Sequence, residues 1–357
     1  MIRAIKLVLV NFAVVLMLLF LIEGFSSFLL VGRKVVAVKP IAERVHTEYD
    51  EQLGWVNLPN IFIKDMYGPG VYFTTNSQRY RSARNFSVEI PNDKIRIVCS
   101  GDSFTLGYGV DDDHTWCQLL TSLDRRLETV NLGQGGYGVD QAYLWYKRNE
   151  KNLNHNIHIF AFITYDFLRM ERDTFVGYGK PYLETRGTAL FQVNRPVPRR
   201  SYYAPRLTTA LRTLQELRTV ELLRKAATKL GLRDDTAPTR ERDVRAKGVV
   251  SRIFADLQHT NEVKKSLLVL VYLPTFEDYM GLDPETKYWR KYVQAEADKN
   301  HYFFVDVVKE LRSLPPESVK ELFKGHFSNE GNRYVADVLH QKLIEISAIS
   351  AQAPAMR

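Results

Sequence analysis

The sequence predicts a three-layer α/β/α domain with a parallel sheet, preceded by an N-terminal apolar helix. Three observations lead to this fold class. Apolar segments of strand length alternate with segments of helical periodicity from residue 95 to residue 346. Strands that alternate with helices in this way form a parallel sheet covered on both faces. The chain has 357 residues, enough for one large core, and its first 31 residues are mostly apolar.

Residues 1–31 form the first predicted element, a signal-anchor or transmembrane helix. Residues 7–22 are apolar apart from Asn11, and the apolar character continues to Val31. As a helix, this stretch is long enough to cross a hydrocarbon layer about 30 Å thick. A cleaved signal peptide is the alternative, because Gly24-Phe25-Ser26 offers small residues at the spacing that signal peptidase recognises. Basic residues flank the segment on both sides, and the positive-inside rule alone would leave the body in the cytoplasm.

Residues 32–92 are predicted as a strand-and-loop segment ahead of the main domain. Turn signals occur at Leu58-Pro59-Asn60 and Gly68-Pro69-Gly70, and residues 71–75 are β-prone. The main domain follows over residues 93–348, and residues 349–357 form a C-terminal tail.

The main domain is predicted as five strands alternating with five helices. The predicted strands are 95–98, 129–132, 157–163, 267–273 and 302–307, and the predicted helices are 115–127, 141–150, 249–264, 287–300 and 329–346. An insertion at about 171–246 interrupts the alternation after the third strand. Within it, residues 207–230 have leucines at helical spacing, and the polar residues 234–245 predict a mobile loop.

Composition excludes several classes of protein. With 45% hydrophobic and 25% charged residues, the chain resembles globular rather than disordered proteins. The net charge is +8, but the basic residues are spread along the chain and no nucleic-acid recognition motif occurs, so we expect no nucleic-acid partner. Two cysteines, Cys99 and Cys117, are too few for a disulfide scaffold or a cysteine-rich metal site. Each is predicted to act as a small buried hydrophobe.

Ligands of parallel sheets bind in the loops at the carboxyl ends of the strands. Four such loops are polar or glycine-rich here, namely 101–105, 133–138, 164–166 and 325–328. They bring Ser103 and His326 to one rim of the sheet. A serine hydroxyl is a weak nucleophile until a base takes its proton, so this pair is the minimum for acyl transfer. The backbone amides of Ser103 and Gly136 are candidate donors to an oxyanion.

These residues also have structural interpretations. Asp102 and Ser103 are favoured helix caps, and His326 could be a buried histidine that serves only packing. The loop 133–138 matches the dinucleotide fingerprint G-x-G-x-x-G, but it lies in the second crossover, and the nearest acidic candidate, Asp166, is 28 residues past Gly138. The adjacent side chains of residues 111–114 cannot converge on one metal ion. We therefore expect no cofactor and no metal.

Three motifs, taken in their order, resemble those of the SGNH, or GDSL-type, hydrolases. They are Gly101-Asp102-Ser103 after a strand, the glycine loop 133–138, and residues 325–332 before the last helix. The resemblance covers residues 94–170 and 247–348. It implies a flavodoxin-like parallel sheet, with Ser103 as the nucleophile, Gly136 as an oxyanion donor and His326 as the general base. Members of this family are esterases, lipases, thioesterases and carbohydrate O-acyl hydrolases, with a few acyltransferases.

Two positions depart from the family pattern. The family's third motif carries an asparagine that completes the oxyanion hole, and Tyr165 stands at that position. The third donor would then be the Tyr165 hydroxyl, Thr164 or another group. The family also places an aspartate two or three residues before the histidine, where this sequence has Lys324 and Phe323. A lysine there would oppose the imidazolium that forms during catalysis.

The resemblance implies a membrane-anchored serine esterase or O-acyltransferase. Its substrate would be an acylated glycan or lipid, and its catalytic body would be exported to the periplasm or the cell exterior, against the charge count. The alternative, motivated by Tyr165 and Lys324, is a catalytically weak protein that binds a glycan or lipid during envelope assembly. The sequence does not fix the oligomeric state.

Overall fold

The computed structural model of the protein describes residues 2–37, 45–176, 178–187, 189–198, 236–281 and 284–349. The N-terminal segment forms helix α1 (Ile2–Ala37). Within these described ranges, no helix combines the length and the hydropathy that crossing a membrane requires. The predicted transmembrane helix over residues 1–31 is therefore not confirmed. The leucine-rich helix predicted over 207–230 and the C-terminal tail from residue 350 lie outside the described residues.

The segment before the main domain consists of two antiparallel strand pairs. Strand β1 (Thr47–Asp50) pairs with β2 (Gly54–Asn57), and β3 (Ile61–Ile63) pairs with β4 (Phe73–Thr75). The pairs are short, and the segment packs onto the main domain through the buried side chain of Trp55. The Trp55 Nε1 donates to the carbonyl of Gly135 at 2.8 Å, so this segment touches the glycine loop directly.

The main domain and its insertion follow in the order that the alternation predicts. The first half comprises β5 (Ile95–Ser100), α2 (Ser103–Leu106), α3 (Trp116–Leu123), β6 (Leu127–Asn131), α4 (Val139–Asn149), β7 (Ile157–Phe162) and α5 (Thr164–Met170). The insertion begins with the strand pairs β8 (Thr174–Phe175) with β9 (Tyr178–Gly179) and β10 (Leu183–Arg186) with β11 (Ala189–Gln192).

The chain returns to the sheet after the insertion. The second half comprises α6 (Thr236–Lys264), β12 (Leu267–Tyr272), α7 (Phe276–Met280), α8 (Pro284–Asn300), β13 (Phe303–Asp306), α9 (Val307–Leu311), α10 (Pro316–Glu321), β14 (Phe323–Lys324), β15 (His326–Phe327) and α11 (Asn329–Glu345).

Five parallel strands form the central sheet, in the spatial order β13-β12-β7-β5-β6. Numbered along the chain, this is the order 2-1-3-4-5 of flavodoxin-like folds. The chain reverses its direction across the sheet between β5 and β7, so the loops after these two strands and after β6 meet at one edge. The predicted parallel α/β/α fold is confirmed.

The sheet separates two hydrophobic cores, and β7 contributes to both by alternation. Ile159 and Ala161 face the core that contains Trp116 of α3 and Leu339 of α11. Phe160 and Phe162 face the other core, whose large side chains come from α4, α6 and α8: Trp145, Phe254 and Trp289. Helices therefore cover both faces, as a parallel sheet requires.

Two sequence predictions need correction. Cys99 of β5 and Cys117 of α3 are not separate buried hydrophobes, because they form a disulfide with their Cα atoms 6.4 Å apart. Both side chains are fully buried where α3 packs on the sheet. The polar run predicted as a loop over 234–245 is helical from Thr236 onward. Its only proline, Pro238, falls in the first turn of α6, where the missing N–H is tolerated, and the residues after it carry helix-forming side chains.

Candidate active site

Ser103 lies at the first turn of α2, directly after β5. The capping role belongs to Asp102, whose Oδ1 accepts a hydrogen bond from the Phe104 amide at 2.8 Å. This leaves the Ser103 hydroxyl unused by the helix terminus. Its Oγ lies 2.9 Å from Nε2 of His326. Two residues 223 positions apart in sequence are thus within hydrogen-bonding distance, which is the distance that proton transfer from serine to a base requires.

The His326 ring is held by a tight hairpin and by aromatic neighbours. Gly325 joins β14 to β15 with a φ of 80°, a left-handed conformation that favours glycine. The imidazole centroid lies 4.7 Å from the Phe104 ring and 4.9 Å from the Tyr108 ring. Packing on two aromatic rings limits rotation of the imidazole and keeps Nε2 directed at Ser103.

The electrostatic surroundings of His326 favour the neutral base. Burial lowers the pKa of His326, the negative charge of Asp102 raises it, and the positive charge of Arg169 lowers it again. The net result is a pKa below the ordinary value. His326 is therefore mostly unprotonated at neutral pH and can accept the serine proton.

Among the described residues, no aspartate takes the place of the expected partner of His326. Lys324 is exposed and pairs across the hairpin with His326 through the backbone, and Phe323 is half-buried. Nor does any carboxylate of the described part of the chain accept a hydrogen bond from Nδ1 of His326. Asp306 is engaged elsewhere, where Arg290 donates two bonds to it. The departure seen at Lys324 in the sequence is therefore also present in the structure.

The glycine loop 133–138 packs against the nucleophile turn. The Gln134 amide donates to the Gly101 carbonyl at 3.2 Å, and Gly136 has a φ of 76°. Among the described residues, no acceptor forms a hydrogen bond with the backbone amide of Ser103 or of Gly136, although both residues are buried. Backbone amides that have no acceptor within the protein are the donors that an oxyanion needs.

The third loop provides no clear donor. Tyr165 is the second residue of α5 and is 41% exposed. Thr164, the other candidate, is buried, and its Oγ1 already contacts the hydroxyls of Tyr272 and Thr286 and the carboxylate of Asp278. Because the Thr164 hydroxyl is engaged in this cluster, it does not complete the oxyanion hole. The role of the Tyr165 hydroxyl stays a prediction.

Arg81, from the segment before the main domain, is a supporting residue that the sequence analysis missed. Its fully buried guanidinium donates to the carbonyls of Leu106, Gly107 and Val110 at 2.5–2.6 Å and to Asp112. These carbonyls follow the nucleophile, so Arg81 fixes the C-terminal end of α2. No local pattern signals this role, because the partners are backbone carbonyls distant in sequence.

Arg169 of α5 is a second supporting residue that was missed. Its Nη1 donates to Asp102 next to the nucleophile and to Asp166 in the first turn of the same helix. The spacing of Asp166 and Arg169, three residues apart on one helix, is a signal for an ion pair that the sequence does contain. Among the described residues, no group of three or more histidine, cysteine, aspartate or glutamate side chains is arranged to hold a metal ion.

Comparisons with known proteins find similarity only among solved structures. No family model matches the sequence, and no curated protein matches it. Three similar structures are a member of the lipolytic G-D-S-L family from Veillonella parvula, a lipase/acylhydrolase from Enterococcus faecalis, and the psychrotrophic esterase EstA from Pseudoalteromonas sp..

These similarities are distant. The three proteins are 15%, 14% and 9% identical to this chain, with TM-scores of 0.37, 0.40 and 0.40. The matches cover 69%, 72% and 71% of this chain and 97%, 100% and 99% of the other chains. The function is argued below from the geometry of the site.

Proposed function

We propose that this protein is a serine esterase, or an O-acyltransferase that uses the same first step. The single observation that carries the proposal is the 2.9 Å approach of Ser103 Oγ to His326 Nε2 at the carboxyl edge of a parallel sheet. The unpaired amides of Ser103 and Gly136 support it, because they can stabilise the negative charge that develops on an acyl carbonyl oxygen.

The proposed reaction has two halves. Ser103 Oγ attacks the carbonyl carbon of an ester while His326 Nε2 takes the hydroxyl proton, and the carbonyl oxygen becomes an oxyanion facing the two amides. The C–O bond to the alcohol then breaks, and His326 gives its proton to the leaving alkoxide. A water molecule, or an acceptor hydroxyl, attacks the acyl-serine with His326 again as the base, which releases the acyl group and restores Ser103.

The test is hydrolysis of p-nitrophenyl esters of increasing acyl length by the purified full-length protein. We expect turnover that falls by about a thousandfold or more in Ser103→Ala and in His326→Ala. The matched controls are Ser313→Ala and His114→Ala, which remove the same side-chain types at positions outside the site. Equal activity in Ser103→Ala and the wild type would refute the proposal.

A binding protein is the second candidate, favoured by the absence of a carboxylate on His326 Nδ1 among the described residues. In this case the cleft binds an acylated glycan or lipid without cleaving it. An inactive wild type that retains micromolar affinity for an acylated glycan by calorimetry would support this candidate over the esterase.

The substrate class and the compartment belong to the same proposal. An acylated glycan or lipid of the cell envelope is proposed from the resemblance of the motifs. The disulfide between Cys99 and Cys117 supports an exported body, because disulfides persist mainly in oxidising compartments. A C-terminal topology reporter tests this, and a reporter active in the cytoplasm would contradict export. Attachment to the membrane through residues 1–31 stays a prediction, which fractionation of the membranes tests.

A further inference from the structure

Arg169 of α5 connects the nucleophile turn with the glycine loop. Its Nη1 donates to Asp102 Oδ2 at 3.0 Å, to the Tyr137 carbonyl at 2.9 Å and to Asp166 Oδ1 at 2.6 Å. Asp102 precedes the nucleophile, Tyr137 follows Gly136 in the glycine loop, and Asp166 lies one turn before Arg169 on α5 itself. One guanidinium therefore sets the relative position of the serine and of both proposed oxyanion amides.

Asp102 is the carboxylate nearest to the reacting groups. Its Oδ2 lies 3.3 Å from Ser103 Oγ, which is also 2.9 Å from His326 Nε2. The carboxylate and the imidazole are thus at most about 6 Å apart, within the range in which one charge shifts the pKa of another. Asp102 is 1% exposed, so water screens this interaction little.

Asp102 shares the Arg169 guanidinium with a second carboxylate, that of Asp166. Asp166 is also buried, and burial together with the nearby negative charge of Asp102 raises the pKa of Asp166 well above its usual range. Of these two carboxylates, Asp102 is the one that contacts the Ser103 hydroxyl.

We propose that Asp102, held by Arg169, supplies the negative charge that stabilises the His326 imidazolium, in place of an aspartate on the far side of the ring. Arg169 is the positioning residue in this arrangement. The inference rests on the proposed esterase function. It also explains how the site can operate with Lys324 at the position of the expected acid: the compensating charge reaches the imidazole from its serine side.

Two charged side chains and two further titratable groups lie on the elements packed around His326. Asp102 before α2 favours the imidazolium, whereas Arg169 of α5 opposes it. The Tyr108 ring packs on the imidazole, and Lys324 lies opposite it in the hairpin. Asp102 is the only carboxylic acid among these four. Neutralising Asp102 and neutralising Arg169 should therefore shift the pKa of His326 in opposite directions.

The experiment measures kcat/KM for p-nitrophenyl acetate from pH 4.5 to 9 with the full-length protein. Activity rises with pH as His326 loses its proton, and the midpoint of this acid limb reports the pKa of the base. In Asp102→Asn, we expect the midpoint to fall by roughly one pH unit and the plateau to fall about tenfold. In Arg169→Met, the midpoint should rise, and Arg169→Lys should restore the wild-type midpoint.

The control is Arg148→Met, which breaks the bidentate ion pair with Asp50 away from the nucleophile. It should lower stability and leave the midpoint unchanged. Should Arg169→Met not fold, Asp102→Asn alone tests the inference, because it removes the carboxylate and leaves Arg169 in place. Equal midpoints in Asp102→Asn and the wild type would overturn the inference. A wild type without esterase activity would instead overturn the proposed function.

Discussion

Substituting Gly133 by alanine tests whether the glycine loop and the nucleophile turn act as one packed unit. Gly133 is buried, and a Cβ at this position would lie 2.1 Å from the Leu106 amide nitrogen and 2.6 Å from the Leu106 Cα. Both are backbone atoms of α2, so no flexible side chain can move aside. Either α2 or the loop 133–138 must shift by about 1 Å to reach an ordinary contact distance.

The magnitude of the effect follows from the short length of α2. The helix spans only Ser103–Leu106, so a shift at Leu106 moves the Ser103 hydroxyl by a similar amount. The 2.9 Å contact with His326 would then be lost. A misplacement of about 1 Å at a reacting group can cost about a hundredfold in rate. Overpacking a buried contact costs about 1–3 kcal/mol, and we expect the upper end because backbone atoms are involved.

Gly135→Ala is the matched control in the same loop. Its Cβ would have only the Leu106 Cδ2 as a neighbour, at 3.9 Å, and the φ of Gly135 is not in the left-handed region. We expect the free energy of unfolding to change by no more than about 0.5 kcal/mol and the activity to stay the same. Urea unfolding measures the stability, and p-nitrophenyl acetate hydrolysis measures the activity. Equal stability and activity in Gly133→Ala and Gly135→Ala would refute the packing described for this edge of the sheet.

Three further predictions concern the core and the supporting residues. Burial lowers the pKa of His158 well below its ordinary value. The unfolded chain then binds a proton that the folded protein does not. His158 should therefore lower the free energy of unfolding by about 1.4 kcal/mol per pH unit as the pH drops below about 6.5. In urea titrations at several pH values, His158→Gln should reduce this slope. Arg81→Met should lower the free energy of unfolding by about 3–5 kcal/mol, since it leaves three buried carbonyls and the partly exposed carboxylate of Asp112 without this donor; a loss under about 1 kcal/mol would show that water replaces the guanidinium. In denatured, unreduced protein, a thiol titration should find no free thiol, whereas two would contradict the pairing of Cys99 with Cys117.

The sequence predicts the central sheet well because its strands carry a strong physical signal. Each strand is a short apolar run that both cores bury, and each crossover is a helix of clear periodicity. The meeting of Ser103 with His326 follows from the same logic, since strand ends of a parallel sheet converge at one edge. Even the capping alternative for Asp102 proves compatible with it, because Asp102 caps α2 while the serine hydroxyl turns to the histidine.

The supporting structure could not be predicted in the same way. Arg81 donates to backbone carbonyls, which every residue type has, so the sequence contains no signal for this contact. The two acceptors of Arg169 nearest the nucleophile lie in loops that are distant along the chain. The disulfide of Cys99 depends on which face of α3 packs on β5, and periodicity does not determine this register. Long-range pairings of this kind are decided by tertiary packing rather than by local preference.

The central claim is that Ser103 is an activated nucleophile. Incubation of the full-length protein with a fluorophosphonate, followed by mass spectrometry of its peptides, measures this directly, since the reagent phosphonylates only an activated serine. The account predicts one adduct, on Ser103, that forms much more slowly in His326→Ala and is absent in Ser103→Ala. An unmodified wild-type protein, or an adduct on another serine, would contradict it.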